Sequence, residues 1–162
     1  MSAKSPIREP ADLTDDALRS RAVAAARGDA PFDVLITGGT LVDVVTGELR
    51  AADIGIVGAL IASVHERASR SDAASIIDAA SAFVSPGLID THMHIESSMV
   101  TPAAHAAAVV ARGVTTIAWA PHEYGNAHGV EGVRWASKAI ENLPLRDILL
   151  APSCVPSPPG LD

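Results

Sequence analysis

The stretch PGLIDTHMHIESS, residues 86–98, decides how this 162-residue chain is interpreted, because it places two histidines two positions apart at the end of an apolar run. Side chains alternate between the two faces of a β-strand, so His92 and His94 point the same way and their imidazoles can close on one metal ion. A divalent ion held by neutral imidazoles can lower the pKa of bound water towards about 7 and supply hydroxide at neutral pH. The stretch therefore predicts a metal-dependent hydrolase.

The same stretch also has a purely structural interpretation. His-x-His triplets are common by chance, and one imidazole could pair with a neighbouring carboxylate while the other is a half-buried polar group. Only two of the three or four ligands usual for such a centre are visible. The Pro-Gly break, Asp90 on the face of both histidines and the Glu-Ser-Ser that follows favour the metal site.

The composition is that of a globular protein and limits its partners. Hydrophobic residues make up 48% of the chain and charged residues 19%, and the formal net charge is −7. The net negative charge argues against binding to nucleic acid or to an anionic membrane, and it is compatible with a small neutral substrate. The single cysteine, Cys154, excludes an internal disulfide, and neither a signal peptide nor an apolar run of about 18 residues occurs. We expect a cytoplasmic protein.

The first half of the chain predicts a helix followed by short strands. Residues 1–31 form a polar tail and a helix, with Thr14 as its N-cap and Gly28 as its stop. Residues 32–81 carry antiparallel strands separated by glycine turns, of which Gly38-Gly39 is interpreted as a hairpin turn. The predicted strands are 32–37, 41–45, 53–57 and 60–64. Residues 71–80 are expected to be a connector.

Residues 82–162 alternate between strands and helices. The predicted order is strand 82–90, helix 103–112, strand 114–119, helix 130–141 and strand 147–151. Such spacing predicts right-handed crossovers and a parallel sheet, as at the start of a (β/α)8 TIM barrel. A complete barrel takes about 250 residues, so we expect this α/β chain to be the N-terminal part of a longer enzyme, with an open sheet edge prone to association.

Several motifs resemble one enzyme family. The strand end Pro-Gly-x-Ile-Asp-x-His-x-His at 86–94 is similar to the first barrel strand of the amidohydrolase superfamily. HIESSM at 94–99, Thr101-Pro102 and Pro-His-Glu at 121–123 resemble the adenine deaminases within that superfamily. The resemblance implies a TIM barrel preceded by part of a small β-sandwich at 32–81. Ala120 departs from the pattern, which usually carries an aspartate there.

The resemblance also implies an activity and its residues. The parent enzyme would hydrolyse adenine to hypoxanthine and ammonia, in purine metabolism, with manganese or iron as the divalent metal, although zinc is equally compatible with the ligands. His92 and His94 would be metal ligands, and Glu96, His122 and Glu123 would be catalytic residues at the pocket. Because the family draws further ligands from later strands, the 162 residues alone are expected to be inactive. The full-length form is expected to be a homo-oligomer.

Alternatives remain at each of these positions. Glu96 could cap the helix that starts near Thr101, and His122 and Glu123 could serve loop packing. Asp90 could orient an imidazole or be structural. The chain could belong to another amidohydrolase, such as a cyclic amidase or an N-acetyl amino-sugar deacetylase, or be a non-catalytic fragment. Surface or packing roles are favoured for the remaining histidines, which are His65, His105 and His128.

Overall fold

The computed structural model describes residues 15–150, which divide into two compact units. Unit 1 ends at Pro86 and unit 2 begins at Gly87. The boundary expected from the sequence was 81/82, five residues earlier. Cys154 and the tail at 1–14 lie outside the described residues.

Unit 1 combines one helix with six strands. Its elements are α1 (Asp16–Arg27), β1 (Phe32–Thr37), β2 (Thr40–Asp43), β3 (Glu48–Val57), β4 (Leu60–Glu66), β5 (Ala73–Asp78) and β6 (Phe83–Val84). The strands join one sheet in the order β5-β1-β3-β2-β6, with β4 paired to β3. Within the described part of unit 1, the layer packed on this sheet is α1, which contacts β3 and β4.

Helix α1 has well-defined ends and a small apolar face. The carboxylate of Asp15 accepts hydrogen bonds from the backbone N–H groups of Ala17 and Leu18, and Gly28 ends the helix with φ of 90°. Thr14, the expected N-cap, lies outside the described residues. The helix buries Ala22 and Ala25 in the core of unit 1, which also contains Phe32, Leu35 and Val57.

Gly38 and Gly39 form a bend and not the predicted hairpin turn. Strand β1 pairs antiparallel with the C-terminal half of β3, and β2 pairs antiparallel with its N-terminal half, so β1 and β2 together act as one bent strand. Gly38 has φ of 78°, and a Cβ on Gly39 would lie only 2.7 Å from a methyl group of Val84. The two glycines are therefore required by the bend and by a close approach.

Two further predictions for this region were wrong. The expected connector at 71–80 contains strand β5, which pairs parallel with β1. The expected strand at 82–90 is two strands, because β6 pairs with β2 in unit 1 whereas β7 belongs to the sheet of unit 2. Pro86 separates them, since proline has no N–H to give to a ladder.

Unit 2 alternates strands and helices as predicted. Its elements are β7 (Leu88–Met93), a 3-10 helix (Glu96–Ser98), α2 (Pro102–Val110), β8 (Val114–Trp119), α3 (His122–Ala139) and β9 (Arg146–Leu149). The strands form a parallel sheet in the order β7-β8-β9. This α/β arrangement fits part of a (β/α)8 barrel. None of the helices described between residues 15 and 150 has the length and apolarity needed to cross a membrane.

The helices of unit 2 cover one face of the sheet. Thr101 caps α2 by accepting a hydrogen bond from the backbone N–H of Ala104 at 3.2 Å. Helix α3 begins at His122, eight residues before the predicted start, and Gly129 interrupts it with φ of 60° and ψ of −145°. The break at Gly129 is why the sequence pattern indicated only the second segment. The core of unit 2 consists of Ile95, Ala106, Ile117, Trp119, Ala136 and Leu145.

Candidate metal centre

The predicted site residues of unit 2 meet at the C-terminal ends of two neighbouring strands. His92 lies near the end of β7, and His94 follows one residue after the strand. Strand β8 ends at Trp119, and α3 starts three residues later at His122. Because β7 and β8 are parallel neighbours, both segments emerge at the same edge of the sheet. This is the edge at which barrel enzymes carry their active sites.

The imidazoles of His92 and His94 converge as the spacing predicts. Their Nε2 atoms lie 3.1 Å apart, and the ring planes are inclined by 69°. The Nδ1 atom of His94 lies 2.7 Å from the backbone carbonyl oxygen of Ala120. A carbonyl can only accept, so Nδ1 carries the proton and Nε2 of His94 presents a lone pair. The backbone just after β8 thereby selects the tautomer whose Nε2 can coordinate an ion.

The distance between these nitrogens fits a shared ion. With metal–nitrogen bonds of about 2.1 Å, a 3.1 Å separation would allow both Nε2 atoms to bind one ion. The donor set therefore fits a divalent ion bound by both imidazoles.

Two carboxylates lie beside the histidine pair. Glu96 Oε1 accepts a hydrogen bond from the backbone N–H of Glu123 at 3.2 Å, and Glu96 Oε2 accepts one from Nε1 of Trp119 at 2.6 Å. The hydroxyl of Ser97 donates to Glu123 Oε1 at 2.8 Å. Glu123 Oε2 lies 3.6 Å from Nδ1 of His94. The network links the carboxylate pair to the imidazole of His94.

The two carboxylates have opposite proton affinities. Burial raises the pKa of Glu96, and the neighbouring Glu123 raises it further. The pKa of Glu123 is lowered to about 2, first by a side-chain hydrogen bond with Glu96 and then by the hydroxyl of Ser97. When the pair takes up a proton, Glu96 therefore binds it before Glu123 does. Of the two carboxylates, Glu96 is the better proton donor and Glu123 the better hydrogen-bond acceptor.

A second combination of ligand atoms exists at the same place. Donor atoms of His94, Glu96 and Glu123 all lie within 4.8 Å of one another. Both carboxylates are already engaged by hydrogen-bond donors, whereas the Nε2 atoms of the histidine pair face each other. The imidazole pair is therefore the better primary site, with the carboxylates as its neighbours.

The remaining predicted residues take different places. His122 approaches the site by its ring, whose centroid is 5.1 Å from that of His94. Asp90 does not orient an imidazole in the described structure, because its Oδ1 accepts the backbone N–H of His92. Glu96 does not cap α2, since Thr101 does. His105 is buried on α2, where burial lowers the pKa of its imidazole.

Three contributions to this site were missed by the sequence reasoning. Trp119 is a core residue whose indole N–H also donates a hydrogen bond to Glu96. Ser97 binds Glu123, and the backbone of Ala120 binds His94. One signal was available for the tryptophan: a buried indole needs an acceptor, and Trp119 stands at a strand end close to two glutamates. The backbone contact has no sequence signal.

Comparison with known proteins identifies relatives of this chain. Residues 83–159 match the amidohydrolase family. The chain is 82% identical, over its full length, to part of adenine deaminase 2 of Agrobacterium fabrum, and 52% identical, over 90% of its length, to part of an adenine deaminase of Klebsiella pneumoniae. It spans only 27% and 24% of the lengths of these two relatives.

A solved structure extends the likeness to three dimensions. D-hydantoinase (dihydropyrimidinase) from Thermus sp. superposes with a TM-score of 0.56 at 25% identity, over 72% of this chain and 26% of that protein. The likeness is consistent with the parallel strand order of unit 2.

Proposed function

Since residues 83–159 match the amidohydrolase family, we propose that this chain supplies the first metal-binding strand and a substrate-facing corner of an enzyme that hydrolyses adenine to hypoxanthine and ammonia. The observation that carries the proposal is the convergence of two Nε2 atoms at 3.1 Å beside a carboxylate pair of unequal proton affinity. The relatives named adenine deaminase support the choice of substrate.

His92 and His94 are the proposed metal ligands. A divalent ion bound there, manganese or iron in this proposal with zinc as the alternative, supplies Lewis-acid activation of water at neutral pH. The protein contributes by holding the imidazoles in an orientation that can bind the ion. The carbonyl of Ala120 keeps the proton of His94 on Nδ1, so Nε2 needs no rearrangement before it binds.

Glu96, His122 and Glu123 are the proposed catalytic residues. Glu96, whose pKa is raised by burial, is the proposed donor of a proton to a ring nitrogen of the purine, and Glu123 is the proposed acceptor of a hydrogen bond from the exocyclic amine. The ring of His122 borders the same space, 5.1 Å from that of His94. These groups orient the base so that water adds at the amino-bearing carbon, and ammonia leaves with the transferred protons.

We assign the activity to a protein of its relatives' length, with the 162 residues alone inactive. Within residues 15–150, two imidazoles are the ligands free for a metal, whereas catalytic metal sites generally use three protein ligands and a water. Metal analysis after dialysis tests this directly. The isolated chain should retain much less than one ion per molecule, and stoichiometric retention would contradict the assignment.

A chimera tests the activity itself. Residues 1–162 of this chain replace the matching segment of the Agrobacterium fabrum relative, and ammonia release from adenine is measured with manganese supplied. The chimera should deaminate adenine, and His94→Ala in the chimera should abolish the reaction. An inactive chimera beside an active relative would refute the proposal. The same comparison tests whether Ala120 permits full activity.

A cyclic amidase is the second candidate, favoured by the structural likeness to D-hydantoinase. The same chimera should be offered hydantoin and dihydrouracil, with an N-acetylated amino sugar as the third substrate class. Faster hydrolysis of a cyclic amide than of adenine would favour the cyclic amidase over the adenine deaminase. A cytoplasmic location and a homo-oligomeric full-length form belong to the leading proposal.

A further inference from the structure

Trp119 occupies an unusual position for a core aromatic residue. Its side chain is fully buried in the core of unit 2, yet its one polar atom points out of that core to a carboxylate at the candidate site. The hydrogen bond from Nε1 of Trp119 to Oε2 of Glu96 is short, at 2.6 Å. The indole therefore connects the packed core with the site.

Two hydrogen bonds, one of them from the indole, hold Glu96 at both of its carboxylate oxygens. Oε2 is held by the indole, and Oε1 is held by the backbone N–H of Glu123 at the start of α3. A carboxylate held at both oxygens has little rotational freedom. Glu123, held in turn by Ser97, stands 3.6 Å from the imidazole of His94. A chain of three contacts thus runs from the core of unit 2, through Glu96 and Glu123, to His94.

Packing alone does not explain a tryptophan at this position. Phenylalanine would fill most of the space in an apolar core without introducing a donor that needs a partner. The partner found is one of the proposed catalytic carboxylates and not a backbone carbonyl. The other tryptophan of the chain, Trp135, provides the contrast, because it is 49% exposed. Both tryptophan rings contact that of Tyr124, so this ring contact does not distinguish them.

We infer that Trp119 is a positioning residue of the metal centre, which fixes Glu96 through its indole N–H and, through Glu123, holds His94 in place for metal binding. The inference rests on the proposed function for the presence of a metal, and the hydrogen bond itself can be tested without one. Outer contacts of this kind commonly change metal affinity by about tenfold to a hundredfold.

The first experiment observes the hydrogen bond in the whole 162-residue chain labelled with nitrogen-15. The chain has two tryptophans, so Trp135→Phe assigns the two indole N–H signals. The Trp119 proton should resonate downfield of that of Trp135 and exchange slowly with solvent, because it is buried and bonded to a carboxylate. Glu96→Leu, which removes the acceptor, should move it upfield. A signal that Glu96→Leu leaves in place would overturn the inference.

The second experiment measures the effect on metal binding by titrating the same chain with Mn²⁺ in a calorimeter. Trp119→Phe, which keeps an aromatic ring but removes the donor, should weaken binding about tenfold. Trp135→Phe is the matched control and should leave the affinity unchanged. Equal affinity in the wild type and in a folded Trp119→Phe variant would contradict the inference.

The two experiments separate this inference from the proposed function. A wild-type chain that binds no Mn²⁺ would count against the metal centre, while the indole signal would still decide whether Trp119 holds Glu96. If Trp119→Phe does not fold, Glu96→Leu serves in both experiments, since it breaks the same bond from the other side. Wild-type affinity in Glu96→Leu would then overturn the inference.

Discussion

The polar groups of the two units are arranged differently: opposite charges pair in unit 1, whereas groups of the same kind lie together at the strand ends of unit 2. In unit 1, Arg21 pairs with Asp33 and lowers the pKa of that carboxyl, and Arg70 pairs with Asp72. The buried Asp53 accepts two backbone N–H groups. At the strand ends of unit 2, by contrast, two imidazoles face each other and two carboxylates lie side by side.

The difference distinguishes structural from functional use of polar residues. Complementary pairs lower the free energy of the folded state and need nothing further. Groups of the same kind held together raise the free energy of the folded state, and the addition of a proton or a cation lowers it again. We therefore expect substitutions in unit 1 to change stability, and substitutions at the strand ends of unit 2 to change binding.

The largest effect is expected at the imidazoles. Replacing both His92 and His94 with alanine should remove measurable Mn²⁺ binding by calorimetry, because both Nε2 ligands are lost. The free energy of unfolding should change by less than about 1 kcal/mol, since His92 is exposed and His94 is only half-buried. His128→Ala, a histidine elsewhere in unit 2, is the control and should bind like the wild type. Retained binding in the double variant would place the metal elsewhere.

The opposite effect is expected at Asp53 in unit 1. The residue is 1% exposed, and its carboxylate accepts the backbone N–H groups of Gly38 and Ala68 at 3.1 and 2.8 Å. Asp53→Ala leaves both donors unpaired and should lower the free energy of unfolding by about 3 kcal/mol in urea titrations. Asp53→Asn keeps one acceptor and should lose less. Unchanged Mn²⁺ affinity in both variants is expected, and a change would break the division between the units.

A third effect is expected where α3 is interrupted. Gly129 has φ of 60° and ψ of −145°, and a Cβ there would meet no atom within 4 Å, so any cost of substitution is backbone strain. Gly129→Ala should lower the free energy of unfolding by about 2 kcal/mol. Gly47→Ala in a turn of unit 1, also with open space and with φ of 76°, should lose about 1 kcal/mol. Equal losses would show that the interruption carries no special strain.

The smallest effect concerns Asp147 on β9, whose buried carboxylate oxygens have no hydrogen-bond partner within the described residues. Burial raises its pKa from the usual 3.8 to about 6. Between these values the folded state binds more protons than the unfolded state, so stability should fall as pH rises from about 4 to about 6. After allowance for solvent screening the loss should be about 1 kcal/mol.

Denaturation at pH 4 and pH 7 measures this dependence. Asp147→Asn and Asp147→Leu should both remove the loss between the two pH values, because neither side chain titrates. A loss that persists in both variants would assign the pH dependence to another group. The result would show whether an unpaired charge in unit 2 can lie outside the candidate site.

Sequence reasoning succeeded where a local rule determines the geometry. The period of two in a strand brought His92 and His94 together, and strand β8 begins and ends at the predicted residues, Val114 and Trp119. Thr101 and Pro102 marked the start of α2 as expected. The roles of the site residues themselves stay predictions.

The errors arose where pairing between distant segments decides the structure. Gly38-Gly39 has the composition of a hairpin turn, but the length of β3 allows it to pair with the segments on both sides. Strand β5 was missed because its large apolar residues, Ile76 and Ile77, are adjacent and therefore do not alternate with polar ones. In the structure both side chains are exposed. Contacts such as Trp119 with Glu96 join residues 23 positions apart, which no local pattern encodes.

The bond from His94 to Ala120 has an evolutionary consequence. The acceptor is a main-chain oxygen, which every amino acid provides, so the choice of tautomer is insensitive to the identity of the residue at 120. The side chain at 120 is almost completely enclosed, so its size is restricted. Another small residue can therefore replace Ala120 and keep the hydrogen bond that leaves Nε2 of His94 free to coordinate.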